Sequence, residues 1–168
     1  MNRTDYQLCG TLQKLDLFRG LDLEDAQSIL TFSKQQSFKA GEEIWKVGDP
    51  SPYLLVLLSG HVEMRDRKGA MVADLTAGTT LGEMSSLNGH PRFRSVRATR
   101  DITALSLGRH ELKQLWDRCP EVYRQIIENA LDILAHRLSG TEHRDTTQLR
   151  PGHQAGFGPE QPLVSAVA

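Results

Sequence analysis

The middle of the chain is divided by regularly spaced turn residues. Between Ser37 and Gly108, short apolar segments alternate with turns that contain Gly41, Gly48-Asp49-Pro50, Gly60, Lys68-Gly69 and Gly78. Glycine permits the positive φ angles that tight turns require, and this spacing leaves room only for short strands. A chain divided in this way predicts a small jelly-roll barrel, a double-stranded β-helix.

The apolar segments indicate two kinds of strand. Tyr53 to Leu58 is a continuous apolar run, which is typical of a strand buried on both faces. Val62 and Met64 instead alternate with polar neighbours, and the pairs Val96/Ala98 and Leu105/Leu107 repeat that alternation. These latter segments predict strands with one buried face.

Helical periodicity flanks the β region on both sides. Asp22 can cap a helix over about 22–34, and a shorter helix that ends near Gly20 precedes it and carries Leu12, Leu15 and Phe18. After Gly108, two C-terminal helices are predicted. The first has Leu112, Leu115 and Trp116 on one face, and the second has a stripe of Tyr123, Ile126, Ile127, Ala130, Leu131, Leu134 and Leu138. The fold class is therefore mainly β with flanking helices.

The length and the composition limit the organisation and the function class. The chain has 168 residues, so we expect one domain over 12–138, an N-terminal extension over 1–11 and a flexible tail over 141–168. Lys and Arg total 20 against 21 Asp and Glu, which gives no global electrostatic case for DNA or membrane binding. No apolar run is long enough to span a bilayer, and no secretory signal is visible, so we expect a cytoplasmic protein.

Cysteine and histidine give no metal signature. Cys9 and Cys119 lie far apart in the sequence, which predicts ordinary thiols rather than a disulfide or a zinc site. The chain has six histidines but no His-x-His pair. A cupin-like metal enzyme is a less favoured alternative, and we expect no metal and no catalytic residue.

One segment, LGEMSSLNGHPRFRSVRA from Leu81 to Ala98, predicts an anion site. Gly82 lets a ligand approach the backbone, and the residues after it are sufficient for one helical turn with unpaired N–H groups. Arg92 returns a permanent positive charge to the same place after the Asn88 to Pro91 turn. Glu83 beside a phosphate requires a hydroxyl donor such as a sugar, so the expected ligand is a nucleotide.

This segment resembles the phosphate-binding cassette of cyclic nucleotide-binding domains, F-G-E-L-A-L-x-x-x-x-P-R-A-A-T-V. Leu81-Gly82-Glu83-Met84 and Pro91-Arg92-Phe93-Arg94-Ser95-Val96 carry the likeness. It extends to AGEEI at 40–44, to Gly48-Asp49 and to LSGHVE at 58–63, and covers about 12–138. We refer to residues 81–96 as the cassette segment.

The resemblance implies roles for individual residues. Glu83 corresponds to the glutamate that binds the ribose 2′-hydroxyl, and Arg92 to the arginine that binds the cyclic phosphate. The candidate ligand-binding residues are Gly82, Glu83, Met84, Ser85, Arg92, Phe93, Arg94 and Ser95. Phe93 stands where members selective for cyclic GMP carry a threonine, and it cannot donate that hydrogen bond, which favours cyclic AMP.

The function implied by the resemblance is a receptor without catalysis. Its ligand would be cyclic AMP or a related cyclic nucleotide, with no cofactor, and it would signal to an unknown protein partner by movement of its last helix. That helix also serves some relatives as a homodimer contact. The residues after Gly140 are too few, and too rich in proline and glycine, for the helix-turn-helix module of many bacterial relatives, so we expect no DNA binding.

Four alternatives to these assignments remain open. Glu83 and Arg92 could form an ordinary surface salt bridge. Arg94 lies on the same face as Arg92 if both belong to one strand, which would suit a cyclic dinucleotide. Arg94, Arg97 and Arg100 could form a basic strip for nucleic acid, although solvated strand faces carry such charges routinely. The site could also be degenerate, leaving a ligand-free module for protein interaction.

Overall fold

The computed structural model describes residues 3–138. The predicted tail over 141–168 lies outside these residues. The elements are α1 (Arg3–Leu12), a 3₁₀ turn (Asp16–Phe18), α2 (Leu23–Phe32), β1 (Lys34–Phe38), β2 (Glu43–Trp45), β3 (Tyr53–Ser59), β4 (His61–Arg65), β5 (Met71–Thr76), β6 (Thr79–Leu81), α3 (Glu83–Asn88), β7 (Ser95–Ala98), β8 (Ile102–Gly108), α4 (Arg109–Arg118) and α5 (Pro120–Leu138).

The eight strands form two four-stranded sheets. Their orders are β1-β8-β3-β6 and β2-β7-β4-β5, and the paired strands run antiparallel. The predicted β core with N-terminal helices and two C-terminal helices is confirmed. Closure of the two sheets into a jelly-roll barrel stays a prediction.

The central strand β3 contributes to two hydrophobic cores. Its even-numbered residues Leu54, Val56 and Leu58 pack in a cluster with the helices, and Leu55 and Leu57 pack in a second cluster that includes β4, β6 and β7. The predicted burial of both faces is thus confirmed. Strand pairing on both edges of β3 fixes it in the middle of its sheet.

The alternation predicted for β8 is wrong. Leu105 and Leu107 face the helical cluster as expected, but Ala104 and Ser106 are buried as well. The physical reason is that both faces of β8 are covered, because Leu105 and Leu107 pack in the helical cluster while Ile102 and Ala104 pack in the second cluster.

The N-terminal helices differ from prediction in their boundaries. Asp22 caps α2, and its side chain and that of Asp25 each accept a hydrogen bond from the other residue's backbone N–H, a reciprocal capping box. The helix ends before Ser33, whose extended backbone leads directly into β1. The first predicted helix is divided, because Leu12 ends α1 while Leu15 and Phe18 belong to the 3₁₀ turn and its start.

The inward faces of the C-terminal helices are rotated from the predicted ones. In α4, Leu112 and Leu115 are buried but Trp116 is 56% exposed. In α5 the buried apolar residues are Val122, Ile126, Ala130 and Ile133, whereas Leu131 of the predicted stripe is 59% exposed. The face that packs against the core includes a polar residue, Asn129, which apolar periodicity alone excludes from a core stripe.

Asn129 joins α5 to the 3₁₀ turn. Its side chain is buried, and its amide nitrogen donates to the carbonyl oxygens of Leu17 at 3.0 Å and Arg19 at 2.8 Å. Its amide oxygen accepts from Gln125 Nε2 at 3.2 Å. An exposed ion pair between Arg19 and Asp132, at 2.7 Å, lies beside this group. These contacts fix the last helix to the N-terminal part of the chain.

The predicted turn glycines adopt positive φ at Gly41, Gly48, Gly60, Gly69 and Gly78. Gly60 is the most constrained, because a Cβ atom there would lie 2.3 Å from the carbonyl oxygen of Asp101. Gly108 differs, since its φ is −81° and it caps the start of α4. The glycine pattern therefore marks the strand boundaries that position the cassette segment.

Within residues 3–138, no helix combines the length and the apolar character needed to cross a membrane. The same part of the chain contains no group of three or more His, Cys, Asp or Glu side chains placed to hold a metal ion. Cys9 is buried, Cys119 is partly buried, and both are free thiols.

Candidate functional site

The cassette segment connects the two sheets through a short helix. It begins at the end of β6, continues through α3 and returns by a loop to β7. Gly82 starts α3 with φ of 72°, and Gly89 ends it with φ of 76°. A helical turn bounded by glycines, as the sequence predicts, therefore stands between the strands.

Arg92 turns inward from the loop after α3. Its backbone N–H donates to Asp49 O and its carbonyl accepts from Gly48 N–H, each at 2.9 Å, so the Gly48 turn fixes its position. The residue is only 2% exposed. Its guanidinium group thus lies inside the protein, between α3 and the start of β3.

Neutral oxygen atoms surround the two terminal nitrogens of Arg92. Nη1 donates to Gly82 O at 3.2 Å and to the hydroxyls of Ser85 and Ser86 at 3.4 Å each. Nη2 donates to the carbonyl oxygen of Tyr53. We call these four acceptors, with the ring of Trp45, the Arg92 cage.

Trp45 covers the flat face of the guanidinium group. The Arg92 Cζ atom lies 3.7 Å from the ring centroid of Trp45 and 5.3 Å from that of Tyr53, which is cation–π geometry. The indole N–H of Trp45 donates to Arg94 O at 3.1 Å, and this bond fixes the ring. The tryptophan is almost fully buried at the end of β2.

One donor of Arg92 is left unused by this cage. Nε is buried and has no hydrogen-bond partner within residues 3–138. Burial lowers the pKa of Arg92 from its ordinary value to about 10, although the charges of Tyr53, Glu83 and Asp49 act in the opposite direction and raise it. The protein therefore holds a desolvated cation with a spare donor.

Glu83 is the first residue of α3 and is 3% exposed. Its charge acts on Arg92, as the effect on the pKa of Arg92 shows. Both side chains are buried, so the alternative of a salt bridge on the surface is wrong. The structure brings the acidic and basic candidates to the same interior site.

The structure divides the remaining candidates into inner and outer groups. Ser85 is buried, and its hydroxyl accepts from Ser51 at 3.0 Å. Met84 and Ser95 are half-buried, and the Ser95 hydroxyl accepts from Val47 N–H at 3.0 Å. Gly82 and Ser85 thus contact Arg92 directly, whereas the Ser95 hydroxyl is used by Val47.

Phe93 and Arg94 point away from this interior. Phe93 is 55% exposed and lies beside His90, with ring centroids 6.3 Å apart. The shared strand face proposed for Arg92 and Arg94 is wrong, because β7 begins only at Ser95 and Arg94 is exposed in the preceding bend. The argument for a second phosphate at Arg94 is lost with it.

Sequence reasoning missed Trp45, Tyr53 and Ser86. Tyr53 contributes a backbone carbonyl, which residue type does not encode, and Ser86 lies one helical position from a predicted residue. Trp45 carried one usable signal, since a large aromatic residue next to a glycine turn is a natural partner for a guanidinium group.

Two cavities open on the β structure away from the cage. One, of about 330 Å³, is lined in part by Lys46, Glu63, Arg97 and Ser95. The other, of about 340 Å³, lies near Lys39 and Asp101. Neither is lined by Glu83 or Arg92.

Comparisons with a family model and with solved structures point to the same protein family. The family model of the cyclic nucleotide-binding domain matches residues 35–119, which include the cassette segment. Among solved structures, a cyclic nucleotide-binding domain from Methylobacillus flagellatus is similar with a TM-score of 0.70 and 27% identity, over 80% of this chain and 78% of that one. The catabolite activator protein of Thermus thermophilus has a TM-score of 0.66 and 30% identity, over 74% of this chain and 58% of that one.

A curated relative is much longer than this chain. Glutaminase 1 of Bradyrhizobium diazoefficiens is 28% identical over 134 residues, which are 80% of this chain but 22% of the glutaminase. The chain thus spans about a fifth of that protein, and the match carries no enzymatic activity to it.

Proposed function

The chain belongs to the cyclic nucleotide-binding domain family, a regulatory rather than catalytic family, and from this premise we propose that it is a receptor for cyclic AMP or a related cyclic nucleotide. Arg92 would pair with the cyclic phosphate, and Glu83 would accept a hydrogen bond from the ribose 2′-hydroxyl. The ligand would need no further cofactor.

The state of Arg92 is the single observation that carries this proposal. A guanidinium group that is 2% exposed, with four neutral oxygen partners and an unpaired Nε, is costly to bury. A bound anion supplies the acceptor that Nε lacks, and phosphate matches the geometry of the guanidinium fork. A structural arginine of ordinary kind is paired more completely.

The neighbours of Arg92 support a nucleotide rather than a simple anion. Glu83 is buried at the start of α3, and its charge acts on Arg92. A carboxylate there repels a bare phosphate but accepts hydrogen bonds from a sugar. Glu83 and Arg92 together therefore favour a ligand that carries both a phosphate and a sugar. The backbone of Gly82, Met84 and Ser85 would lie along this ligand.

Phe93 favours cyclic AMP over cyclic GMP in this proposal. Its side chain has no hydrogen-bond donor for guanine, and it is 55% exposed next to the candidate phosphate-binding residue. Discrimination based on one lost hydrogen bond is modest, about 1 kcal/mol or roughly fivefold in affinity.

Signalling would pass through α5 to a protein partner. A ligand that binds better when α5 covers the base shifts the position of that helix. Leu131 on α5 and Trp116 on α4 are exposed apolar side chains, and the ring centroid of Trp116 lies 5.2 Å from that of Tyr123 on α5. These side chains would support a homodimer through α5. Sedimentation of the wild type and of Leu131→Glu tests the dimer.

Isothermal titration calorimetry with cyclic AMP, cyclic GMP and a cyclic dinucleotide tests the proposed function. We expect saturable binding of a cyclic mononucleotide and an increase in Tm that grows with ligand concentration. The matched control is Arg100→Met, because Arg100 is exposed in the loop after β7. Absence of binding by folded wild-type protein to any of these nucleotides contradicts the proposal and favours a ligand-free interaction module.

A further inference from the structure

The caged position of Arg92 leads to an inference about Trp45 that rests on the proposed function. We propose that Trp45 is a positioning residue that holds the Arg92 guanidinium inside the ligand-free protein, so that a cyclic phosphate must draw this side chain out of its cage.

The contacts of the cage restrain the guanidinium group in two directions. Ser85, Ser86 and Gly82 accept hydrogen bonds in the plane of the group, at 3.2 to 3.4 Å from Nη1. Trp45 covers the flat face of the group, with Arg92 Cζ 3.7 Å from the centroid of the Trp45 ring. The hydrogen bonds fix the edge of the guanidinium group and the indole ring fixes its face, so the Arg92 side chain has one preferred position.

Space at the cage is already filled by Arg92 itself. A Cβ atom on Gly82 would lie 1.9 Å from Nη1, which shows how closely the guanidinium approaches the backbone at the point where a ligand was expected. A phosphate that pairs with this guanidinium group therefore requires movement of Arg92 or of the cassette segment around it.

Trp45 is suited to control this movement because it is itself anchored. Its indole N–H donates to the carbonyl oxygen of Arg94, two residues after Arg92. One side chain thus contacts both the guanidinium group and the loop that carries it. The unpaired Nε makes the cage incomplete, so an anionic phosphate that satisfies Nε competes with it successfully.

This arrangement lowers the apparent affinity for the ligand. When only a fraction of molecules have Arg92 released, the apparent dissociation constant rises in inverse proportion to that fraction. Removal of the indole ring weakens the cage, and cation–π contacts of this kind correspond to roughly 2- to 30-fold in an equilibrium constant. Trp45→Leu is therefore expected to bind the cyclic nucleotide more tightly than the wild type.

The experiment combines nitrogen-15 NMR of arginine Nε–H groups with calorimetry of cyclic AMP binding. In free wild-type protein, the Arg92 Nε–H signal, assigned by its loss in Arg92→Met, should carry a ring-current shift. That shift should vanish in Trp45→Leu and on saturation with cyclic AMP. Trp45→Leu should bind roughly 2- to 30-fold more tightly, and Trp45→Phe should lie between it and the wild type. Tyr6→Leu, at a 57% exposed position in α1, is the control that should change neither signal nor affinity.

Three results would overturn the proposal. The first is a ring-current shift that persists in the saturated complex, since the guanidinium would then bind phosphate in place. The second is weaker or unchanged binding in folded Trp45→Leu. The third is no such shift in the free wild type. If Trp45→Leu does not fold, Trp45→Phe and the double variant Ser85→Ala/Ser86→Ala, which removes two acceptors, provide the same comparison.

Failure of the proposed function has a different outcome. A wild type that binds no cyclic nucleotide but shows a shifted Arg92 signal, reduced in Trp45→Phe and lost in Trp45→Leu, supports the cage as a structural feature and removes the receptor function. It also overturns the ligand-driven release of Arg92, because no ligand is then present to drive it.

Discussion

Asn129 and Arg92 both have buried polar side chains, and they differ in how completely the polar atoms of those side chains are paired. Asn129 on α5 uses its amide nitrogen on two backbone carbonyls and its amide oxygen on Gln125. Arg92 carries a charge, has only neutral acceptors around its terminal nitrogens, and leaves Nε without a partner. A fully paired buried group indicates a structural role, whereas an incompletely paired charge indicates a place for something else.

The first prediction separates binding from folding at Arg92. Arg92→Met should weaken cyclic nucleotide binding by about 2 to 5 kcal/mol, or roughly 30-fold to several thousandfold, because the phosphate loses its charged partner. Calorimetric titration of the folded variant measures the loss. An affinity equal to that of the wild type contradicts the role of Arg92.

The same variant should fold well. The acceptors it abandons keep other donors, since Tyr53 O also accepts from the Ser86 hydroxyl and Gly82 O from Ser86 N–H. The change removes a buried charge whose desolvation is unfavourable, but it also leaves Glu83 buried without that opposing charge, so the two effects on stability oppose each other. The free energy of unfolding in urea should therefore change by no more than about 1 kcal/mol.

The second prediction applies the opposite test at Asn129. Asn129→Leu should reduce the free energy of unfolding by about 2 to 4 kcal/mol, because the carbonyls of Leu17 and Arg19 lose a buried donor. Urea unfolding measures this loss. A stability equal to that of the wild type would remove the distinction between the two sites.

The third prediction concerns the closeness of Gly82 to Arg92. Gly82→Ala should destabilise by about 2 to 3 kcal/mol, since it combines positive φ with a contact at 1.9 Å from Nη1. Gly69→Ala is the matched control, because its φ is also positive but nothing lies within 4 Å, and it should cost about 1 kcal/mol. In an Arg92→Met background, Gly82→Ala and Gly69→Ala should destabilise the protein by similar amounts, which thermal unfolding of both variants measures.

The fourth prediction uses alkaline pH. The folded protein releases the Arg92 proton above a pKa of about 10, whereas the unfolded chain holds it to a higher pH, so stability attributable to Arg92 rises as pH increases above about 10. By about pH 11, the wild type should therefore have gained about 1 kcal/mol in unfolding free energy relative to Arg92→Met. A difference that stays constant over that range contradicts the buried-cation interpretation.

The sequence was informative where backbone conformation decides the structure. The turn glycines, the Asp22 cap and the apolar run in β3 act locally, and the structure has them as predicted. The family resemblance rested on the same local features together with Glu83 and Arg92. Both residues lie at one interior site, although nothing in the residue pattern determined that they would be buried.

Side-chain direction and tertiary pairing were not accessible in the same way. Arg94 was placed on a strand face because alternation assumed a strand that begins only at Ser95. The inward face of α5 was misplaced because Asn129 is polar, and its carbonyl partners lie more than a hundred residues earlier in the chain. The contact of Trp45 with Arg92 likewise joins distant segments that no local pattern connects.

The all-apolar strand β3 has a consequence for how its neighbours stay aligned. Because residues 54–58 are apolar on both sides, a slip of one position would still bury them, so hydrophobicity alone does not select the alignment. The ends of the strand carry that information: Gly60 fits closely against Asp101 at one end, and the Tyr53 carbonyl receives the Ser86 hydroxyl and the Arg92 guanidinium at the other. Gly60 and the Ser86 hydroxyl therefore set the alignment of β3, and the group proposed to receive a ligand lies beside one of these two fixed points.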